Sequence, residues 1–176
     1  MYWFTADEHY YHKKILEYCD RPFSSIEEMN ETLINNHNNV VGKNDITIHA
    51  GDFTLLKNKK FIYENIINKL NGKHVFIVGS HDYWLKGSNN DQIWQRNISI
   101  KNKKYFFVVC HYAMHTWHKS HYNSIHLFGH SHGNLNLDGK RWDCGVDNND
   151  FFPISDFQII EMMKNKPDNF NLIRKN

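Results

Sequence analysis

Tyr2-Trp3-Phe4-Thr5-Ala6-Asp7-Glu8-His9 opens the chain with an apolar run that ends in a charged turn. Residues 2–6 read as a strand buried on both faces. The turn carries a carboxylate and an imidazole two positions apart, where alternate residues of an extended segment point the same way. The same pattern recurs four more times. Asp45-Ile46-Thr47-Ile48-His49-Ala50 reads as a strand and delivers Gly51-Asp52. Residues 74–78 (His-Val-Phe-Ile-Val) deliver Gly79-Ser80-His81-Asp82. A run ending at Cys110 delivers His111, and residues 125–128 deliver Gly129-His130-Ser131-His132. Carboxylate oxygen and imidazole nitrogen are metal-ligand atoms, and α/β folds place ligands where strands end. The glycines let the backbone turn sharply beside them.

Between these motifs the apolar spacing becomes helical. A short helix is expected over Lys13–Cys19. Ser25-x-x-Glu28 is a capping-box signature, and Ile26, Met29, Leu33 and Ile34 extend a helix from there to about residue 38. A third helix is expected over 59–70, with Phe61, Ile62, Ile66 and Leu70 facing the core. The second half changes character. Residues 97–101 and 104–110 read as a hairpin turning at Asn102-Lys103. A polar and aromatic loop follows over 112–124. Two short strands are expected within 134–147, then a helix over 155–164 capped by Ser155, then an Asn- and Lys-rich tail. A β-α-β-α-β half followed by a mostly β half suits two mixed β-sheets stacked face to face with helices outside, a four-layer αββα sandwich in one domain spanning 1–176.

The five motifs in this order resemble the calcineurin-like metallophosphoesterase family, whose pattern runs Asp-x-His, Gly-Asp, Gly-Asn-His-Asp/Glu, a single His, then Gly-His-x-His. The match spans Asp7 to His132, and Gly145-Val146-Asp147 with Pro153-Ile154-Ser155 is similar to the family's closing segment. The resemblance implies the same αββα architecture and a dinuclear centre. Asp7, His9 and His132 would hold the first metal, His111 and His130 the second, with Asp52 bridging both. Ser80 stands where the family places an Asn ligand to the second metal. The implied reaction is hydrolysis of a phosphate ester by a metal-bound hydroxide. His81 would contact the phosphate and protonate the leaving oxygen, and Asp82 would orient its ring. No insert covers the motifs, so the cleft reads as open, which is compatible with diesters as well as monoesters, a phosphodiesterase being the expected activity. Ser80 also motivates the rival reading, a non-catalytic or attenuated scaffold of the same fold, because a hydroxyl close to the backbone is a poorer ligand than an amide oxygen.

Chemistry and composition bound the rest. Mixed imidazole and carboxylate ligands favour Mn, with Fe, Zn or Ni as alternatives, over Mg or Ca. A structural Zn site is disfavoured, since such sites are closed and rich in Cys. His12 and Arg21 follow the first metal loop as candidate phosphate contacts, with an ordinary surface role as the alternative. His49 reads as structural. His115, His118 and His121 read either as one face of a turn lining the cleft or as scattered loop residues. Tyr112 and Trp117 read either as a stacking surface for a flat leaving group or as packing. The chain has 176 residues, 40% of them hydrophobic, enough for one core. No run approaches the ~20 apolar residues of a membrane span, and no secretory pattern opens the chain, so a cytoplasmic, membrane-free protein is expected. Cys19, Cys110 and Cys144 are odd in number and lack metal spacing, which fits reduced thiols. Net charge is only +2. Lys57, Lys59 and Lys60, and Lys101, Lys103 and Lys104, read as solvated turns or helix starts, not a nucleic-acid groove. A phosphate-ester substrate, including a nucleotide, is the expected partner.

Overall fold

The computed structural model describes residues 1–87 and 91–169, and the expected tail over 170–176 lies outside them. Among the described residues, eight strands form two four-stranded mixed sheets. In the first, β1 (Tyr2–Thr5) and β3 (Lys73–Phe76) flank β2 (Ile46–His49) in parallel, and the two-residue β8 (Ile154–Ser155) runs antiparallel along β1. In the second, β4 (Ile93–Ile100) pairs antiparallel with β5 (Lys103–Cys110), which continues in parallel to β6 (Ile125–Phe128) and β7 (Arg141–Asp143). The chain is therefore an α/β sandwich. An isolated bridge between Ala6 and Gly145 stitches the two sheets together beyond the ends of β1 and β7.

The inner faces meet in one apolar cluster that includes Phe4, Ile48, Phe107, Val109 and Leu127. Phe4 and Phe107 stack across it, ring centroids 5.3 Å apart. Each such fully buried side chain stabilises by roughly 1.5–3 kcal/mol. A second cluster lies on the outer face of the first sheet, where α2 (Ile26–Val40) and α3 (Lys59–Asn65) bring Met29, Leu33 and Ile62 against Phe53. The second sheet is covered differently: loop 112–124 lies over it. There Trp117 donates to Ser124 Oγ at 2.8 Å and packs on His126, while Met114 N–H donates to His126 Nε2. α4 (Asp156–Met163) closes the sandwich beside β8 with Ile159, Ile160 and Met163.

Several local expectations shift. The first helix shortens to α1 (Ile15–Tyr18). Ser25 caps α2 by accepting from Glu28 N–H, but Glu28 turns its carboxylate to Ser24, so the reciprocal half of the box is missing. The complete box is Ser155 with Gln158. The helix expected to reach residue 70 breaks after Asn65 into a short 3-10 turn, and Phe61 points outward to pack on Tyr11. The hairpin turns one residue earlier, at Lys101-Asn102, both with φ near +50° as a type I′ turn requires. One strand, not two, fills 134–147. No described helix is long and apolar enough to cross a membrane.

Candidate metal centre

The parallel strands deliver their C-terminal ends to one end of the sandwich. Asp7 follows β1, Asp52 follows β2, residues 79–82 follow β3, His111 follows β5, and His130 and His132 follow β6. Among the described residues three groups have all ligand atoms within 4.8 Å of one another: two built from these strand ends, Asp7 with His9 and His132 and Asp52 with His111 and His130, and a third, Cys19 with His132 and Asp147, that shares His132 with the first. One carboxylate oxygen faces both strand-end groups. Asp52 Oδ2 is 3.8 Å from His9 Nε2 and 3.4 Å from His111 Nε2.

The backbone is bent to achieve this. Asp7, His9, Asp52, His130 and His132 all sit in the left-handed region, with φ between 48° and 68°. Non-glycine residues are uncommon there, and five in one cluster mark a constrained site. Of the glycines in the motifs, Gly51 supplies a positive φ of 96°. Gly79 is needed for space, because a Cβ there would collide with the Asp52 amide and carboxylate.

Partners on the far side of two of the imidazoles orient them. His111 Nδ1–H donates to Ala50 O at 3.0 Å, which aims Nε2 at Asp52. His132 Nδ1–H donates to Asp147 Oδ2 at 2.7 Å, leaving its Nε2 free. Burial pushes His9 down to about 3, which leaves it a neutral imidazole with a lone pair. Burial, then Asp143 and Asp52, raise the Asp7 carboxyl well above its usual range. Burial raises Asp52 as well, but His111 and the His81 amide outweigh it and hold the group as an anion. Three buried atoms in this cluster, Asp7 Oδ1, His9 Nε2 and His111 Nε2, have no hydrogen-bond partner. Orphaned acceptors beside crowded buried carboxylates are what a divalent cation would satisfy, and the donor set suits imidazole- and carboxylate-binding metals.

Other expected residues fall differently. Ser80 is beside Asp52, its Oγ 2.9 Å from Oδ2 and 3.2 Å from Oδ1, where it donates to the carboxylate. His81 donates its backbone N–H to Asp52, and its half-exposed ring stands over His9 at 5.6 Å. Asp82 does not orient that ring. Its carboxylate is buried and accepts from the backbone N–H of Asp52, Phe53 and Gly79 and from Trp84 Nε1. It shapes the Asp52 loop instead. Arg21 is neither a phosphate contact nor a surface residue. It is buried, forks onto Asp147 with two bonds of 2.7 Å, and donates to Asp7 O and Glu8 O. His12 does reach the mouth, 3.4 Å from His9 Nδ1. His49 is structural as expected, 2.5 Å from Glu8 Oε1 on one side and 3.1 Å from His74 on the other. His115, His118 and His121 lie in an irregular loop and join neither group. Trp117 is buried, while Tyr112 is exposed and lies 4.8 Å from both His111 and His130.

Sequence reasoning missed Asp143 and Asp147. Asp143 accepts from Ser131 Oγ and the Gly133 and Gly145 amides, tying down the loop that carries His130 and His132. Burial raises Asp147, but bonds from His132 and Arg21 bring it below its usual value. The signal was available for Asp147, since it follows Gly145 in the quoted closing segment.

No protein-family model matches the chain. An uncharacterised protein, MJ1445 of Methanocaldococcus jannaschii, is 51% identical over 77 residues, a match covering 44% of this chain and 44% of that protein. The match thus spans less than half of that relative's length. A solved structure, that of AQ665 from Aquifex aeolicus, a protein of unknown function, aligns over 92% of this chain and 98% of its own with TM-score 0.66 and 24% identity. At that identity the likeness establishes a shared fold.

Proposed function

We propose that this chain is a two-cation phosphoesterase of the calcineurin-like metallophosphoesterase type, with an αββα sandwich, acting on phosphodiesters through an open cleft. The observation that carries the reading is the convergence of two ligand groups on Asp52 Oδ2, with buried orphaned atoms in each. Asp7, His9 and His132 would hold one cation, and His111 and His130 the other, with Asp52 between them and Ser80 beside the second. Bound there, a divalent pair such as Mn supplies charge neutralisation and water activation for phosphoryl transfer. The chain's own residues do the rest. His81 and His12 stand at the mouth with rings 6.3 Å apart, where they can contact phosphate oxygens, and His81 can pass a proton to the leaving oxygen. Asp82 and Asp143 keep the loops in place.

Ser80 supports the second reading, an attenuated relative. Its hydroxyl is engaged with Asp52 and offers a weaker contact to a cation than an amide oxygen. Calorimetry with Mn, paired with hydrolysis of p-nitrophenyl phosphate and bis-p-nitrophenyl phosphate, separates the outcomes. Mn-dependent turnover favouring the diester is expected. His81→Ala should keep Mn binding and lower turnover by about 10²–10⁴-fold. Mn binding without turnover would favour the scaffold, and absence of Mn binding would sink both readings.

A further inference from the structure

A cavity of about 600 Å³ opens at the other end of the sandwich. It lies beside Tyr105 near the start of β5, whereas His111 follows the end of that strand, so the two sites are about 20 Å apart at the ~3.3 Å rise of a strand. Its size is that of a small-molecule site. The floor is aliphatic, built from Ile125, Ile160 and Met163 with Ile100 at the edge. The rim carries Lys101, Lys103, Lys104 and Lys164 against a single acid, Glu161.

These lysines are poorly neutralised. Lys164 approaches Glu161 at 3.8 Å with both side chains largely exposed, a weak pair. Lys101 lies over the exposed Phe157 ring. Across the ladder Lys103 and Lys104 face Ile100 and Ser99, and neither has a carboxylate partner among the described residues. Clustered cations around an apolar hollow favour a ligand that brings a negative head and an apolar body. The floor offers mostly methyl and methylene surface, with Asn123 and Tyr105 as the uncharged polar side chains of the lining and Phe157 out at the rim, so it suits an alkyl chain.

We infer that this cavity binds an amphipathic anion, an alkyl chain ending in a carboxylate or phosphate, independently of the metal centre. The test is calorimetry of the full chain with decanoate and with decyltrimethylammonium, both kept below micellar concentrations. Decanoate should bind one per chain, the cation should not, and added Mn should leave the affinity unchanged. Lys103→Glu with Lys104→Glu alters only exposed side chains, so it should keep the melting temperature and weaken decanoate about tenfold or more. Ile160→Phe, which fills the floor, should weaken it with the rim intact. Equal binding of anion and cation, or unchanged affinity in the lysine variant, would overturn the inference. So would binding to anionic phospholipid vesicles without binding of free decanoate, which would make the patch a membrane contact.

Discussion

Replacing Asp147 by Asn tests how the first ligand group is held. Asp147 stands between Arg21 and His132, taking two guanidinium bonds at 2.7 Å and the imidazole N–H at 2.7 Å. Asn keeps the shape but removes the charge and turns one oxygen into a donor. Two losses follow. Arg21 has a fully buried side chain, and stripping the partner from a buried ion pair costs roughly 3–5 kcal/mol. The amide oxygen and the carbonyls of Asp7 and Glu8 still accept from Arg21, so the loss should sit at the low end, about 3 kcal/mol. For a chain of this size that is a drop of about 6–12 °C in melting temperature. Separately, His132 loses the acceptor that fixes its tautomer. Losing such an outer partner weakens metal affinity by about 10–100-fold, equivalent to about 1.4–2.7 kcal/mol. Calorimetry with Mn should show that weakening in one of two binding steps, and scanning fluorimetry should show the lower melting temperature. A variant that melts lower yet binds both cations as tightly as the parent would refute the reasoning and leave Asp147 a purely structural partner of Arg21.

Three further outcomes are expected. Burial lowers His126 to about 4 from an ordinary 6.5, so its contribution to stability is present above pH 6.5 and is lost as pH falls toward 4; at ~1.36 kcal/mol per unit that is about 3 kcal/mol, and the acid-side fall in melting temperature should be shallower in His126→Gln. Ser80→Asn should tighten the second Mn and raise the rate at limiting Mn, and superimposable titrations of the two proteins would show that Ser80 already serves as well. Gly79→Ala should cost about 1–3 kcal/mol of stability and weaken Mn binding, because the new methyl displaces Asp52; unchanged Mn calorimetry would show that the loop yields freely.

The parallel strands and their ends were legible because buried strands are local and strongly patterned. Each apolar run from β1 to β6 stops within a few residues of the expected place, and the candidate ligands ride on those stops. What was not legible depends on contacts distant in sequence. Phe61 has helical spacing for the core, yet the helix breaks after Asn65 and the ring finds Tyr11 outside. The outer cover of the second sheet is a loop held by Trp117 and His126, which no periodicity announces. Arg21 looks like a surface cation in a polar stretch, and only the fold brings Asp147, 126 positions away, to neutralise it. Asp82 is similar. Beside His81 in sequence it suggests a His–carboxylate pair, but its neighbours in space are the amides of another loop.

These long-range carboxylates explain how a strained site persists. Each left-handed ligand costs of order 1–3 kcal/mol, and an isolated loop would relax out of that conformation. Here the candidate ligand loops other than that of His111 are tied down by a carboxylate on a backbone N–H, and His111 is held by its own Nδ1–H on Ala50 O. Asp7 accepts from His130, Asp52 from His81, Asp82 from Asp52 and Phe53, and Asp143 from Gly133 and Gly145. Hydrogen bonds to charged acceptors contribute about 1.5–3 kcal/mol each, comparable to the strain of one left-handed residue. Asp7 and Asp52 belong both to this lattice and to the ligand groups, so their orientation is set by the protein. The arrangement leaves Asp7 Oδ1 without a partner while Oδ2 is occupied by the His130 amide, which divides one carboxylate into a fastened oxygen and a free one. That division is what a preorganised ligand requires: the loop is held by one atom, and the other is left to face the ligand group.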